Sequence, residues 1–397
     1  MTILLALLSC SDKDAPIDTV DTVDTVDSVE EQLQGPCADQ GWGFITSDPA
    51  AAVHVRSDGS DDGDGSSDAP VATLSKALEI AVLEERPIAV GPGSFEASLS
   101  FFGAPDGLVL QGCSPQETTL TGEAELPVVD TNGAVDVTLA GFTAQGGLIS
   151  IKVWADSTVD ISHIAIDGAT AAGISHNGGY GVYSDIQITG TVASEQGYGY
   201  GFAMDGGGAE LFDLEVSDAT MAGILVGGGE IQMLGVKVSG TQPDAEGLLG
   251  RGIQLQEYAN GVFADVTLTN NADAGLYALR SAVTSTNLAI SGTKAGVCED
   301  CELQTGDAAV FSRGDSNVAP GTFQIALTDS VIDGADRTGF LFSGVTAEVT
   351  GTVANDCGHL VDDKALLSQD GAVVSGDEVA LLDTPLGTNL NLLPQPE

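Results

Sequence analysis

Between residues 164 and 277 one short phrase occurs five times, and it constrains the fold more than any other feature of the chain. The phrase is an apolar-x-apolar run, then Ser, Thr or Asp, then Gly, Asn or Asp, and a little later Gly followed by an apolar residue. It reads Ile164-Ala165-Ile166-Asp167-Gly168 with Gly173-Ile174, and Ile186-Gln187-Ile188-Thr189-Gly190 with Gly201-Phe202. It returns as Leu214-Glu215-Val216-Ser217-Asp218 with Gly223-Ile224, then as Val236-Lys237-Val238-Ser239-Gly240 with Gly252-Ile253. The fifth is Val266-Thr267-Leu268-Thr269-Asn270 with Gly275-Leu276.

Successive phrase ends, Gly168 to Gly190, Asp218 to Gly240 and Asn270 to Gly292, lie 22 residues apart. A period of that size signals stacked repeats. Each unit predicts a strand of three to five residues, apolar at alternate positions and rich in Val, Ile and Leu. No helical segment separates the strands, which excludes leucine-rich and doubly wound patterns. The residue closing each phrase is Gly, Asp or Asn, the set that tolerates a left-handed turn. A fixed turn at one place per coil lays each strand parallel on the last, so the pattern predicts an all-β, right-handed parallel β-helix. About eleven coils would make a rod roughly 50 Å long.

The entry to these coils carries a resemblance. Val53-His54-Val55 is a predicted strand, an Asp/Gly/Ser loop follows to Asp68, and residues 70–86 predict an amphipathic helix. Its apolar face would hold Val71, Leu74, Ala77, Leu78, Ala81 and Val82. Ile88-Ala89-Val90 then opens the first coil, turned by Gly91-Pro92-Gly93. From about residue 53 to 374 the chain resembles the pectin-lyase-like family of β-helix proteins. That resemblance implies an N-terminal cap, which shields the open sheet edge of the first coil. The family's polygalacturonate hydrolases carry an Asn-Thr-Asp, an Asp-Asp, a Gly-His-Gly and an Arg-x-Lys in that order. This chain lacks the series: His54, His163, His176 and His359 all lie outside any Gly-His-Gly.

Residues 1–10, ending Leu-Leu-Ser-Cys10, look like a bacterial lipoprotein signal with Cys10 as the lipidated residue. No Lys or Arg precedes the apolar run, and ten residues are too few to span a bilayer. Residues 11–36 include Asp-Thr-Val repeats whose acids recur every third position from Asp18. They match neither strand nor helix and predict an acidic tether. Together the two segments predict lipid-anchored display on the cell envelope, at the outer membrane or cell surface. Residues 37–397 form the predicted single domain, with caps at 37–87 and 371–397.

The 397 residues include 58 acidic and 12 basic, a net charge of −46. Nucleic acid is an improbable partner, because phosphate binding needs clustered Lys and Arg. Such charge suits solubility, cations or cationic partners. The loop acids Asp58, Asp61, Asp62 and Asp64 are candidate Ca²⁺ ligands, though without the EF-hand spacing; the competing reading is a solvated turn. Cys37 with Cys113 would staple the cap to an early coil. Cys298 and Cys301 could close on each other or one could bond Cys357, and a zinc set of Cys298, Cys301, Cys357 and His359 has suitable ligand types but a poor spacing along the rod.

Loop length is the sharpest irregularity. Between turn residue and Gly-apolar step, three coils use five residues, while 190 to 201 and 240 to 252 use eleven and twelve. These long loops would emerge on one side, carrying Glu195, Tyr198 and Tyr200, then Asp244, Glu246 and Arg251. Aromatic faces and carboxylates beside a parallel sheet suit a sugar polymer; tolerated insertion is the plain alternative. His176 is a candidate general base, set against a polar turn histidine. The leading expectation is non-catalytic binding of a glycan or another surface through the loop-bearing face. The alternatives are a polysaccharide lyase, hydrolase or epimerase using the same face, and a passive stalk.

Overall fold

The computed structural model describes residues 51–247, 249–295, 305–314, 317–357 and 364–376. Among these, two sheets of 20 and 11 strands wind around one another, and neighbouring strands run parallel. The expected parallel β-helix is the fold.

Each coil visits the 20-stranded sheet and then the 11-stranded one. The strand Thr158–Asp167 lies on Tyr180–Thr189, which lies on Gly208–Ser217. Register keeps like on like: Ile164 pairs with Ile186 and Leu214, and Ile166 with Ile188 and Val216. These side chains stack inward with Ile174, Phe202 and Ile224 from the facing sheet, so one apolar core runs along the rod. Aliphatic stacks suit this arrangement because each coil buries the cross-section of the one before it.

The strands are longer than the three to five residues expected, reaching ten in the early coils. They bend midway at residues in the left-handed region: His163, Asp185, Asp213, Gly235, Asp265 and Asn287 all have φ between 50° and 71°. The bend makes each coil three-sided. From Glu230–Leu234 and Lys237–Ser239 onward it divides one strand into two. A second left-handed column, Gly168, Gly190, Asp218, Gly240, Asn270 and Gly292, coincides with the phrase-ending residues.

The capping helix spans Leu74–Glu84, shorter than the 70–86 expected. Asp61 explains the late start: its Oδ1 accepts from the backbone N–H of Ala72 and Thr73, both at 3.0 Å. That holds the preceding chain extended, and Val71 bridges to Val55 instead of joining the helix. Thr73 then caps the helix by accepting from Lys76 N. The buried face is Leu74, Ala77, Ile80 and Ala81, with Ile80 taking the place expected of Val82. Among the described residues no helix is long and apolar enough to cross a membrane. The signal, the tether and the C-terminal cap beyond residue 376 lie outside the described residues, as do Cys10, Cys37, Cys298, Cys301 and His359.

Candidate functional site on the 11-stranded sheet

Alternation along the 11-stranded sheet sends Ile174, Phe202, Ile224, Ile253 and Leu276 into the core. The residues that follow them face away from it. Lys152, Ser175, Ala203 and Leu225 form one register column, half-buried on the outer surface. Beside it stand Trp154, Asn177 and Asp205, two positions further along their chains. The corner next to these is bare, because paired glycines turn each coil: Gly178-Gly179, Gly206-Gly207 and Gly228-Gly229, all at positive φ. A Cβ on Gly207 would stand 2.5 Å from the Gly179 carbonyl oxygen, so the close stacking of coils here requires glycine. The result is a strip whose floor is Ser175, Ala203 and Leu225 beside a bare glycine corner.

Aromatic rings edge this strip. Trp154 is 40% exposed. Its Nε1 donates to Asp130 Oδ1 at 2.6 Å, and Lys152 Nζ lies 4.0 Å from its ring centroid. The ring is therefore fixed by a hydrogen bond and a cation–π contact while one side stays open to solvent. Asn177 is held by its own contacts, donating from Nδ2 to Ser175 Oγ at 3.2 Å. On the opposite edge Tyr200 begins its strand between Ala172 and Ala222. Tyr198 packs beside it, with ring centroids 6.2 Å apart. Burial raises the pKa of Tyr200 above the usual phenol value.

The long loops flank the strip, two strands apart on the sheet, because Ala222–Gly227 separates Tyr200–Asp205 from Arg251–Gln256. Each loop closes on itself. Ser194 N donates to the Tyr198 carbonyl at 2.6 Å, and Asp244 Oδ1 accepts from Glu246 N at 3.0 Å. Glu195, Glu246 and Tyr198 are exposed.

Arg251 is not a loop residue. It opens the strand Arg251–Gln256 and is buried, with Nε donating to Asp273 Oδ2 at 2.6 Å and Nη1 to Gln254 Oε1 at 3.0 Å. Its guanidinium lies 3.7 Å from the Tyr277 ring centroid. Loop counting placed it with the insertion, whereas the sheet needs a residue opposite Ala222. The outer column is buried from Gln254 and turns apolar in the next coil: Tyr277, Val310, Leu341 and Leu367 form a second cluster with Ala274 and Leu279. A second buried pair lies in the same region, Arg337 Nε donating to Asp307 Oδ1 at 2.6 Å, with a further bond from Arg337 Nη2 to Oδ2. Burial raises the Asp307 carboxyl above its usual range despite the neighbouring guanidinium.

His176 is neither a turn residue nor a base facing solvent. It shares the inward side of its strand with Ile174 and is fully buried. Its Nδ1 lies 2.7 Å from Tyr183 Oη. Burial lowers its pKa to about 4.

The acidic loop uses its carboxylates to hold the cap. Asp58 pairs with Arg56, Asp64 Oδ1 accepts from Ser66 N, and Asp61 braces the helix start. At Asp61 desolvation opposes the charge, but the bonds from Thr73 and Ala72 outweigh it and lower the pKa. Among the described residues no group of three or more His, Cys, Asp or Glu is placed to hold a metal, and the Ca²⁺ candidates do not converge. Cys357 is a free, buried thiol whose pKa is pushed up to about 11, chiefly by burial. Cys113 is disulfide-bonded, and Cys37, expected to pair with it, lies outside the described residues.

No protein-family description matches this chain, and no curated protein does. Solved structures do match its shape. The catalytic domain of a GH87 alpha-1,3-glucanase in complex with tetrasaccharides is 12% identical, with a TM-score of 0.50 over 85% of this chain and 67% of that one. The catalytic unit of the thermostable GH87 alpha-1,3-glucanase from Streptomyces thermodiastaticus strain HF3-3 is 13% identical, with a TM-score of 0.50 over 83% and 70%. An alginate lyase from Paenibacillus sp. str. FPU-7 is 13% identical over 76% of this chain and 98% of its own, at a TM-score of 0.43. At these identities the likeness is one of fold.

Proposed function

We propose that this β-helix engages a polysaccharide, laid across the coils on the outer face of the 11-stranded sheet between Trp154 and Tyr200. The observation that carries the reading is the strip itself. Two aromatic side chains flank a floor of Ser175, Ala203 and Leu225, with Asn177 and Asp205 on the same face. Sugar rings offer apolar faces to stack and hydroxyls to hydrogen-bond, and this strip supplies partners for both. Affinity electrophoresis in gels cast with soluble polysaccharides tests it. Retardation should occur with at least one polymer and be relieved by Trp154→Ala and by Tyr200→Ala. Retardation unchanged in both variants would sink the reading.

Cleavage is the reading that the likeness to glucanase catalytic domains supports. Hydrolysis wants two carboxyl groups about 5–10 Å apart. Asp130 and Asp205 share the open face but stand three coils apart, roughly 14 Å at the coil rise. Asp130 and Asp205 are therefore not such a pair, while the likeness of fold to glucanase catalytic domains favours action on the polymer over binding alone. Release of reducing ends or unsaturated products would establish cleavage, and retardation without any release would leave binding alone.

The same proposal includes display at the cell envelope through lipid on Cys10, with residues 11–36 as spacer. Metabolic labelling with a radioactive fatty acid checks it, and Cys10→Ser should abolish the label.

A further inference from the structure

We infer that the strip selects uncharged glycans and rejects polyuronates; this rests on the polysaccharide reading above and adds the charge class of the ligand. The inference comes from where the few cations sit. The chain has 12 basic residues against 58 acidic ones, so a groove for a polyanion would need cations gathered on it and free to act.

The opposite is found. Arg251 beside the strip is buried and neutralised by Asp273. Arg337 is neutralised in the same way by Asp307, and Arg280 pairs with Glu257. Lys152 stands on the open stretch, but its ammonium lies over the Trp154 ring, whose Nε1 is bonded to Asp130. Asp205 is exposed on the face, and Glu195 and Glu246 are exposed on the flanking loops.

A uronate polymer brings one negative charge per ring. Laid along this strip it would meet carboxylates on the face and rim, and each close like-charge contact weakens binding. A neutral chain avoids that cost. The same carboxylates and amides then act as hydrogen-bond partners for its hydroxyls.

The test compares soluble glucans of several linkages with their carboxymethylated forms, so that charge changes while the backbone does not. Dissociation constants for the full chain are read at about 0.05 and about 0.5 M NaCl. The neutral form should bind with little salt dependence, within roughly twofold, and the carboxymethylated form at least about tenfold more weakly at low salt. The gap should narrow at high salt as screening removes the repulsion. Alginate and polygalacturonate should behave as the charged glucan does. Equal or tighter binding of the charged forms would overturn this inference and leave the polysaccharide reading standing. Failure of every neutral and charged polymer to bind would remove both.

Discussion

One sheet carries two different outer surfaces. In the coils that include Ser175, Ala203 and Leu225 the outer column is half-buried, partly open to solvent, and turned by paired glycines. From the strand Arg251–Gln256 onward the same column reads Gln254, Tyr277, Val310 and Leu341, all buried, with two Arg–Asp pairs among them. The corner changes in the same coil, where Glu257-Tyr258 replaces Gly228-Gly229. Core-facing residues on both stretches are aliphatic or aromatic, with His176 the exception on the open one. Stacking therefore dictates the inner face everywhere, while the outer face is free to differ, and one stretch of it has been kept bare. A site on a solenoid can be made by leaving side chains out as well as by adding loops.

The largest effect should come from breaking the closed stretch. Arg337→Met leaves the Asp307 carboxylate buried without its guanidinium, which should cost about 3–5 kcal/mol of unfolding free energy in urea titrations. Adding Asp307→Leu should restore most of the loss, because a paired charge replaced by apolar volume is close to neutral. The sign of the pH effect is also set. Burial already raises the Asp307 pKa, and the variant raises it further, so the protonated form is favoured in the folded state. Stability of Arg337→Met should therefore be greatest near or below the ordinary carboxylate pKa and fall as pH rises above it. A variant as stable as the parent at neutral pH would mean that this stretch is not held by its pairs.

Behind the open stretch the titratable group is on the core side. His176 has a folded pKa of about 4 because it is buried, against roughly 6.5 when unfolded. The folded state thus prefers the neutral ring. Its contribution is complete above the unfolded pKa and declines as pH falls from about 6.5 towards 4, by roughly 3 kcal/mol in all. His176→Leu should flatten that part of the stability–pH curve. An unchanged slope would show that other groups govern the acid response.

A smaller effect separates the two surfaces functionally. Trp154→Ala should weaken glycan binding about tenfold, near 1.4 kcal/mol, with little change in stability because the ring is 40% exposed. Tyr277→Phe, in the closed stretch, should leave binding unchanged. If Tyr277→Phe weakened binding as much as Trp154→Ala, the ligand path would have to extend past Arg251.

Much of this fold is legible in the sequence, and what is not has physical causes. The phrase-ending column Gly168, Gly190, Asp218 was readable because its residues are those that accept positive φ. The other column was equally readable and was missed: His163, Asp185, Asp213, Gly235 and Asp265 immediately precede each apolar run. His176 lies two residues after Ile174, so alternation alone places it on the core side. Arg251 precedes a Gly-apolar step, where a strand begins, yet loop length drew it into the insertion. The paired glycines also marked the bare corner. What the sequence could not disclose is that the outer face closes at residue 251, because that depends on side chains from several coils meeting there.

The smallest expected effect bears on where the strip ends. Tyr198 is 54% exposed in a loop closed by its own bonds to Ser194, and its ring packs beside Tyr200. Tyr200 instead begins a strand and is half-buried between neighbouring coils. Ordering a free loop ring against a ligand costs conformational entropy that a fixed ring has already lost on folding. Tyr198→Ala should therefore change the dissociation constant by less than about twofold, while Tyr200→Ala should resemble Trp154→Ala. If Tyr198→Ala proved the more damaging of the two, the loops rather than the bare floor would carry recognition, and the site would lie above the sheet instead of on it.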